Sequence, residues 1–354
     1  MHNRLKAVRK WITDNQADGV LLNKPANRFY AAGFTGSAGT VIITPDQQYL
    51  VTDFRYKRQA EEQSPSFTYL QIDKHESALK HIHSLGLQRV GIEEESVSVM
   101  LAEEYRKAIP GIELVPMQQY MTIIRSVKEP EELALIRQAA NVADEGWAMI
   151  QDRIRPGVSE KDLALELEFH MRRRGADGVS FQFIVASGIR SALPHGIASD
   201  KLIEAGDFLI FDFGNLVGGY CSDMTRTLVV GTADEQQQEV YQTVLQAQQT
   251  ALAAVKPGIT GQELDAIARN IIETAGYGPY FGHGLGHGVG IEIHELPHIN
   301  HLGTVPLRPG MVITIEPGIY LPDRGGVRIE DLVVVTETGY EVLSHSSKAL
   351  REIQ

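Results

Sequence analysis

The strongest constraint on this chain is that its C-terminal part repeats itself. Pro156-Gly157-Val158-Ser159, followed by Leu163 and Gly175, returns as Pro257-Gly258-Ile259-Thr260, followed by Leu264 and Gly276, at an offset of 101 residues. Leu193-Pro194-His195 returns as Leu296-Pro297-His298 at an offset of 103, and Gly206 before one β-rich run matches Gly310 before another at 104. Each copy reads as helix, Pro-Gly turn, helix, glycine, then strands. A unit used twice predicts two similar halves about an approximate two-fold axis, with a central site built from equivalent positions of both.

The repeat carries acids to matching places. Asp212 lies six residues after Gly206 and Glu316 six after Gly310, each inside an apolar run. An ionised acid there is expensive unless paired or metal-bound. Each also has a hairpin partner. Asp212 and Asp223 flank the turn region Gly214 to Gly219, and folding it between Val217 and Gly218 sets the two acids opposite each other. Glu316 and Glu330 flank Pro322 to Gly326, and folding it at Asp323 does the same. Period two along the last strand puts Arg328 and Glu330 on one face and Asp331 on the other. Four facing carboxylates would not all stay ionised. Two divalent cations resolve that conflict, an arrangement that splits esters and amides with a bridging hydroxide. The plainer alternative is that these are solvated hairpin ends, or partners of Arg226 and Arg328. Two pairs at equivalent repeat positions argue against it.

Between the acid pairs lies Phe281 to His298, with His283, His287, His294 and His298 and a run of glycines around the first two. Histidine is the commonest nitrogen ligand for transition metals and the readiest proton carrier near neutral pH. A nucleotide loop using Gly284, Gly286 and Gly290 would need a strand before it and a helix after it, and neither is evident. The glycines are read as letting the backbone pass close to something, not as a phosphate loop.

The N-terminal part reads differently. Leu5, Val8 and Ile12 mark an amphipathic first helix. Short β-rich runs at Gly19–Leu22, Thr40–Thr44, Tyr49–Asp53 and Arg89–Ile92 alternate with helical segments at Arg55–Glu62, Glu76–Ser84 and Val99–Ile109. This predicts a small α/β domain over 1–124. The loop Gly33–Gly39 is a turn or a binding loop. Pro130-Glu131-Glu132 is a helix start, acids at the N-terminal dipole, so a second domain is expected over 125–354. Its first helix is expected to run to about Arg155.

A net charge of −12 disfavours nucleic acid and anionic membrane surfaces as partners. No apolar run approaches 18 residues, so no membrane span is expected. No apolar core follows Met1–Lys6, so no secretory signal is expected. The single cysteine, Cys221, excludes an internal disulfide and fits a cytoplasmic protein. It is read as a packing residue turned away from the face of Asp223.

The order Asp212, Asp223, His287, Glu316, Glu330 resembles the five-ligand site of the pita-bread metallopeptidases, which include methionine aminopeptidase, aminopeptidase P and prolidase. The stretches I-R-S-V-K-E-P-E-E-L, L-P-H-G, G-H-G-L-G-H-G-V-G, H-E-L-P and I-E-P-G-I-Y, with the extra N-terminal domain, resemble the Xaa-Pro peptidase branch. The resemblance implies an α/β (α+β) chain, with a creatinase/prolidase-like N-terminal domain before a pita-bread domain of internal pseudo-two-fold symmetry. It implies two divalent ions per chain on the five ligands, manganese first, with cobalt or zinc as alternatives. It implies hydrolysis of the bond between an N-terminal residue and proline, with peptides carrying proline at the second position as substrates. Glu316 then carries the proton, His283 and His294 work at the scissile bond, and His195, His294 and Arg328 hold substrate. Thr225 is a supporting neighbour of the acids. Tyr220 lines the pocket or packs, and His298 and His301 are structural or surface residues. A homodimer is implied, with Gly33–Gly39 as a loop that could approach the partner's site. The rival readings are a broader aminopeptidase, creatinase-like C–N hydrolysis, or a non-catalytic peptide-binding module.

Overall fold

The short strands of the N-terminal part line up as one mixed sheet. The structure, a computed structural model that describes residues 2–73 and 78–354, divides into two units, 1–125 and 126–354. The first unit's six strands run in the order Thr68–Ile72, Gln48–Asp53, Thr40–Ile43, Gly19–Leu22, Arg89–Ile92, Glu113–Pro116. Val20, Leu21, Leu22, Val41, Ile42 and Ile43 are all buried, because the central strands are covered on both faces. Helix His2–Asp14 buries Leu5, Val8 and Ile12, as its spacing predicts, together with Trp11.

Two edge strands, Thr68–Ile72 and Glu113–Pro116, and the helix Pro25–Ala32 are not announced by the sequence pattern. The edge strands are largely half-exposed and carry no clean apolar alternation. Of the helix expected over Glu76–Ser84, Leu79–Ser84 is helical, while Glu76 and Ser77 lie outside the described residues. The Gly33–Gly39 loop is tied down by the buried Arg28 guanidinium, which donates to Gly36 O at 3.0 Å and Gly39 O at 2.5 Å.

In the second unit the repeat becomes visible as structure. Helices Pro130–Ile150 and Glu160–Arg173 have counterparts in Glu235–Ala253 and Gly261–Thr274. Ser159 and Thr260 cap the second helix of each pair through their hydroxyls. The matched glycines share one backbone state: φ is +88° and +89° at Gly157 and Gly258, and +94° and +85° at Gly206 and Gly310. Only glycine takes that state without strain. The first half supplies the strands Ile184–Ser187, Phe208–Phe213 and Met224–Val230, joined by Glu352–Ile353. The second half supplies Glu295–Ile299, Gly286–Gly288, Val312–Ile315, Asp331–Val335 and Tyr340–Val342. Trp147, Leu163, Phe211 and Phe213 fill one core, and Val240, Leu264, Ile313 and Val333 belong to another. Among the described residues, no helix is long and apolar enough to cross a membrane.

The first hairpin corrects the expected register. Asp212 pairs with Thr225, not with Asp223. The inner pairs Val217–Tyr220 and Leu216–Cys221 centre the turn between Gly218 and Gly219, both at positive φ. Two consecutive residues at positive φ form the tight two-residue turn whose twist suits a hairpin, so the Gly-Gly pair sets the register. The second hairpin has the expected register: Gly318 pairs with Arg328 and Ile315 with Asp331, which brackets Glu316 and Glu330.

Candidate active site

The strand ends of both halves deliver their acids to one cavity of about 580 Å³. Asp212, Asp223 and Glu330 each place a carboxylate oxygen so that all three lie within 4.8 Å of one another. His287 Nε2 stands 3.2 Å from Glu316 Oε1 and 3.6 Å from Asp223 Oδ2. Its Nδ1 faces Gly288 O at 3.0 Å, so Nδ1 carries the ring proton and Nε2 points into the acids. All five residues of the expected ligand set therefore meet in one place.

The supporting bonds come from neighbouring strands. Thr225 donates to Glu330 Oε2 at 2.7 Å and accepts from Arg328 Nε at 3.1 Å. Arg328 Nη2 donates to Asp212 Oδ2 at 2.6 Å. Thr314 donates to Glu316 Oε1 at 2.9 Å and accepts from the His287 backbone N–H. Asp331 turns to the opposite side, where Arg226 Nη2 and Gln248 Nε2 each reach it at 2.9 Å. The strand alternation sorts Glu330 from Asp331 as expected.

The electrostatics test whether these residues fit a metal. Asp223 and Glu330 are held well above the usual carboxylate range, first by burial and then by the other carboxylates. Burial also raises Asp212, against the pull of Arg328. Glu316 is the exception: burial opposes its ionisation, yet the hydrogen bond and charge of His287 bring it down to about 2. Burial lowers His287, but Glu316 outweighs it and the net shift is upward. Two buried oxygens, Asp212 Oδ1 and Glu330 Oε1, have no hydrogen-bond partner among the described residues. Leaving such an oxygen unsatisfied costs about 1–3 kcal/mol or more. A cluster with surplus negative charge and unused oxygens fits divalent cations.

The remaining expected residues are placed as follows. His283, His294, His195 and Arg328 all line the cavity. His283 is engaged at both ring nitrogens, Nδ1 by Gly284 O at 2.8 Å and Nε2 by the Tyr320 hydroxyl at 2.9 Å. Burial lowers its pKa, so the ring is neutral. His294 is exposed to the cavity, with its ring 4.4 Å from that of His287. Burial, then His287, lowers its pKa as well. Tyr220 packs: its buried hydroxyl donates to Glu132 at 2.8 Å. Cys221 is buried, and its Sγ faces Ile291 O at 3.6 Å.

Three features escaped the sequence pattern. Tyr320 joins His283 to Arg328, accepting from Arg328 Nη1 at 2.7 Å, and burial pushes its hydroxyl up to about 12. Its signal was present, since Glu316, Gly318 and Tyr320 share a parity. His298 sits directly opposite His287 in the strand pairing and lines the cavity, so it is more than a surface residue. At Gly286 and Gly288 the missing side chain makes room for protein rather than for a ligand. A Cβ at Gly286 would lie 2.1 Å from Thr314 O, and one at Gly288 2.2 Å from Leu296 O. Neighbouring strands, not substrate, occupy that space.

Fold and site together define a pita-bread unit with a metal-ligand cluster at its centre, preceded by an α/β domain. Comparison with known proteins agrees. Residues 134–337 match metallopeptidase family M24, and residues 4–127 match the creatinase/prolidase N-terminal domain. The chain belongs to metallopeptidase family M24. It is 41% identical to an Xaa-Pro dipeptidase of Pyrococcus furiosus over 353 residues, 99% of this chain and 100% of that one. It is similar to a solved Xaa-Pro dipeptidase from Bacillus anthracis, with a TM-score of 0.95 and 42% identity over 99% of each chain. It is also similar to an X-Pro aminopeptidase from Thermotoga maritima, with a TM-score of 0.90 and 38% identity over 96% of this chain and 98% of that one.

Proposed function

We propose that this chain hydrolyses the peptide bond between an N-terminal residue and proline, with dipeptides as its substrates. The observation that carries the reading is the assembled cluster of Asp212, Asp223, His287, Glu316 and Glu330, with its two unsatisfied oxygens. Those five would hold two divalent cations, which when bound supply an acidified water and a Lewis acid for the scissile carbonyl. Manganese as the working metal is supported by the oxygen-rich donor set. A homodimer in the cytoplasm belongs to the same proposal, supported by the family resemblance and by the presence of one cysteine only, which excludes an internal disulfide.

The chain's own residues divide the work. Glu316 accepts the water's proton and returns it to the prolyl nitrogen. That nitrogen carries no hydrogen in the substrate, so it must gain one to leave as an amine. His294, open to the cavity, hydrogen-bonds the reacting carbonyl region. His283 does so by exchanging its bond to Tyr320. Arg328 keeps Asp212 oriented while Thr225 keeps Glu330. Phe181, Ile184 and Ile197 give the cavity an apolar wall beside His195. Such a wall favours a pyrrolidine ring over a polar side chain.

The test is hydrolysis by metal-loaded protein of Ala-Pro, Ala-Pro-Ala and Ala-Ala side by side, with metal content measured. Cleavage of Ala-Pro in preference to both others is expected, and chelation should abolish it. Comparable cleavage of Ala-Ala would overturn the proline specificity, and preference for Ala-Pro-Ala would overturn the dipeptidase assignment. Fewer than one divalent ion per chain after incubation with Mn²⁺ or Co²⁺ would point to a peptide-binding module instead.

A further inference from the structure

The chain that brings Glu330 to the metal-ligand cluster sends Asp331 the other way, to Arg226. Arg226 lines a second cavity, of about 460 Å³, which shares no lining residue with the first. Small-molecule sites are typically ~300–1,000 Å³. Two arginines, Arg226 and Arg351, line this cavity and no acid does, in a chain whose net charge is −12. Ser346 and Ser347 add hydroxyls to the wall, and Trp147 and Leu350 add apolar surface.

The charges here do not cancel. Arg226 is 1% exposed. Its Nη1 donates to Thr225 O at 2.9 Å and to Glu330 O, and its Nη2 to Asp331 Oδ1 at 2.9 Å and Ser346 O at 2.8 Å. The Arg226 Nε N–H is buried with no acceptor among the described residues. Asp331 also pairs with Lys348, so one carboxylate serves two cations. Arg351 is exposed and pairs with no acid among the described residues. Asp144 accepts from the Ser346 N–H at 2.8 Å but does not line the cavity. The Ser347 hydroxyl accepts from the Ala349 N–H at 3.2 Å, which leaves its own O–H to donate. A concave wall with surplus positive charge concentrates anions, and the guanidinium fork matches a carboxylate.

We propose that this cavity binds a small organic carboxylate with a short apolar tail: Arg351 and Arg226 face the carboxylate, and Trp147 and Leu350 face the tail. An oxygen reaching Arg226 would supply the acceptor that the chain does not. A free amino acid fits less well, because its ammonium would meet two arginines and no acid. The site stands apart from the peptidase reading and is tested without turnover.

The test is calorimetric titration of the full-length protein, chelated and metal-loaded, with pentanoate, sulfate and pentylammonium at constant ionic strength. The chain has two tryptophans, so Trp11→Phe leaves Trp147 alone to report the same event by fluorescence. Should that variant not fold, calorimetry on the unsubstituted chain decides. One pentanoate per chain is expected to bind with a Kd of about 1 mM or tighter, with and without metal. Sulfate should bind more weakly and pentylammonium not at all. Arg351→Met, a change at an exposed side chain, should weaken pentanoate about tenfold through the loss of one charge-assisted bond. Binding that disappears on chelation would place the carboxylate on the metal cluster instead. Equal affinity in Arg351→Met, sulfate as tight as pentanoate, or no saturation below about 20 mM would likewise overturn the proposal.

Discussion

The two halves of the second unit present a histidine to the same cavity from equivalent places, but they hold it in opposite ways. In the first half His195 rides on a loop whose two ends are tied to one buried carboxylate. Glu160 accepts from Ser187 N at 2.7 Å and Oγ at 2.9 Å, and from Ser199 N at 3.1 Å and Oγ at 2.6 Å. In the second half His298 lies on a strand, and the residue equivalent to Glu160 is Gly261. A Cβ there would stand 2.0 Å from His298 O. One arm is fastened by a side chain and leaves Ile189, Leu193 and Ile197 exposed; the other is fastened by bare backbone contact. The charges are unequal too. Both nitrogen-bearing partners of the acids, the His287 imidazole and the Arg328 guanidinium, come from the second half. A repeat thus keeps the frame while the two copies divide into an arm fastened by a side chain with apolar residues exposed and an arm fastened by backbone contact.

The comparison can be broken at its strongest point first. Glu316 is the proposed proton carrier, so Glu316→Gln should lower kcat by about 10²–10⁴-fold. Asp212→Asn should instead lose metal while the residual turnover per bound ion changes less. Equal effects on turnover per metal would show that the halves are interchangeable. Next in size is Gly261→Ala, where backbone has no room to give. It should cost about 3 kcal/mol of stability by denaturant unfolding. Glu160→Gln, at the matching place, should cost about 1–3 kcal/mol, because the amide oxygen can accept only one of the two pairs of bonds while its NH2 group meets a backbone N–H at the other. It should raise KM for Ala-Pro more than it lowers kcat, since a loosened loop affects binding before chemistry.

The smallest effect is on the pH dependence of the metal-free protein. Asp223 and Glu330 are raised when folded, so the folded state holds protons that the unfolded chain has released. Stability from this source is greatest at low pH and falls as pH climbs from about 4 toward the folded values. Glu316 works in the other direction, its contribution intact above about 4.3 and lost as pH falls through about 2. Thermal melts of chelated protein should therefore show Asp223→Asn gaining on wild type between pH 5 and pH 7. Loading with metal should reverse that order. A pH-independent difference would mean that the acids of the two halves do not sense one another.

Much of this was legible in the residues. The offsets located the two halves, and alternation around Arg328 separated Glu330 from Asp331. The same alternation, carried from Glu316 to Tyr320, would have found the tyrosine between His283 and Arg328. It failed for the first hairpin, because strand parity says which face a residue takes but not which residue it opposes. That choice belonged to the Gly218–Gly219 turn.

What the sequence determined by itself was local and periodic: the repeated helix pairs, the glycines at positive φ, and the acids at matching strand ends. These depend on backbone states and short spacings that a few neighbouring residues dictate. What only the tertiary structure decided is how distant groups meet. Glycines that look like room for a ligand are filled by Thr314 and Leu296. Tyr320 bridges two active-site side chains, and Lys128 reaches Glu295 across 167 positions. Such contacts are fixed by packing of the whole unit, which selects among many sterically possible neighbours and leaves no period in the chain to read.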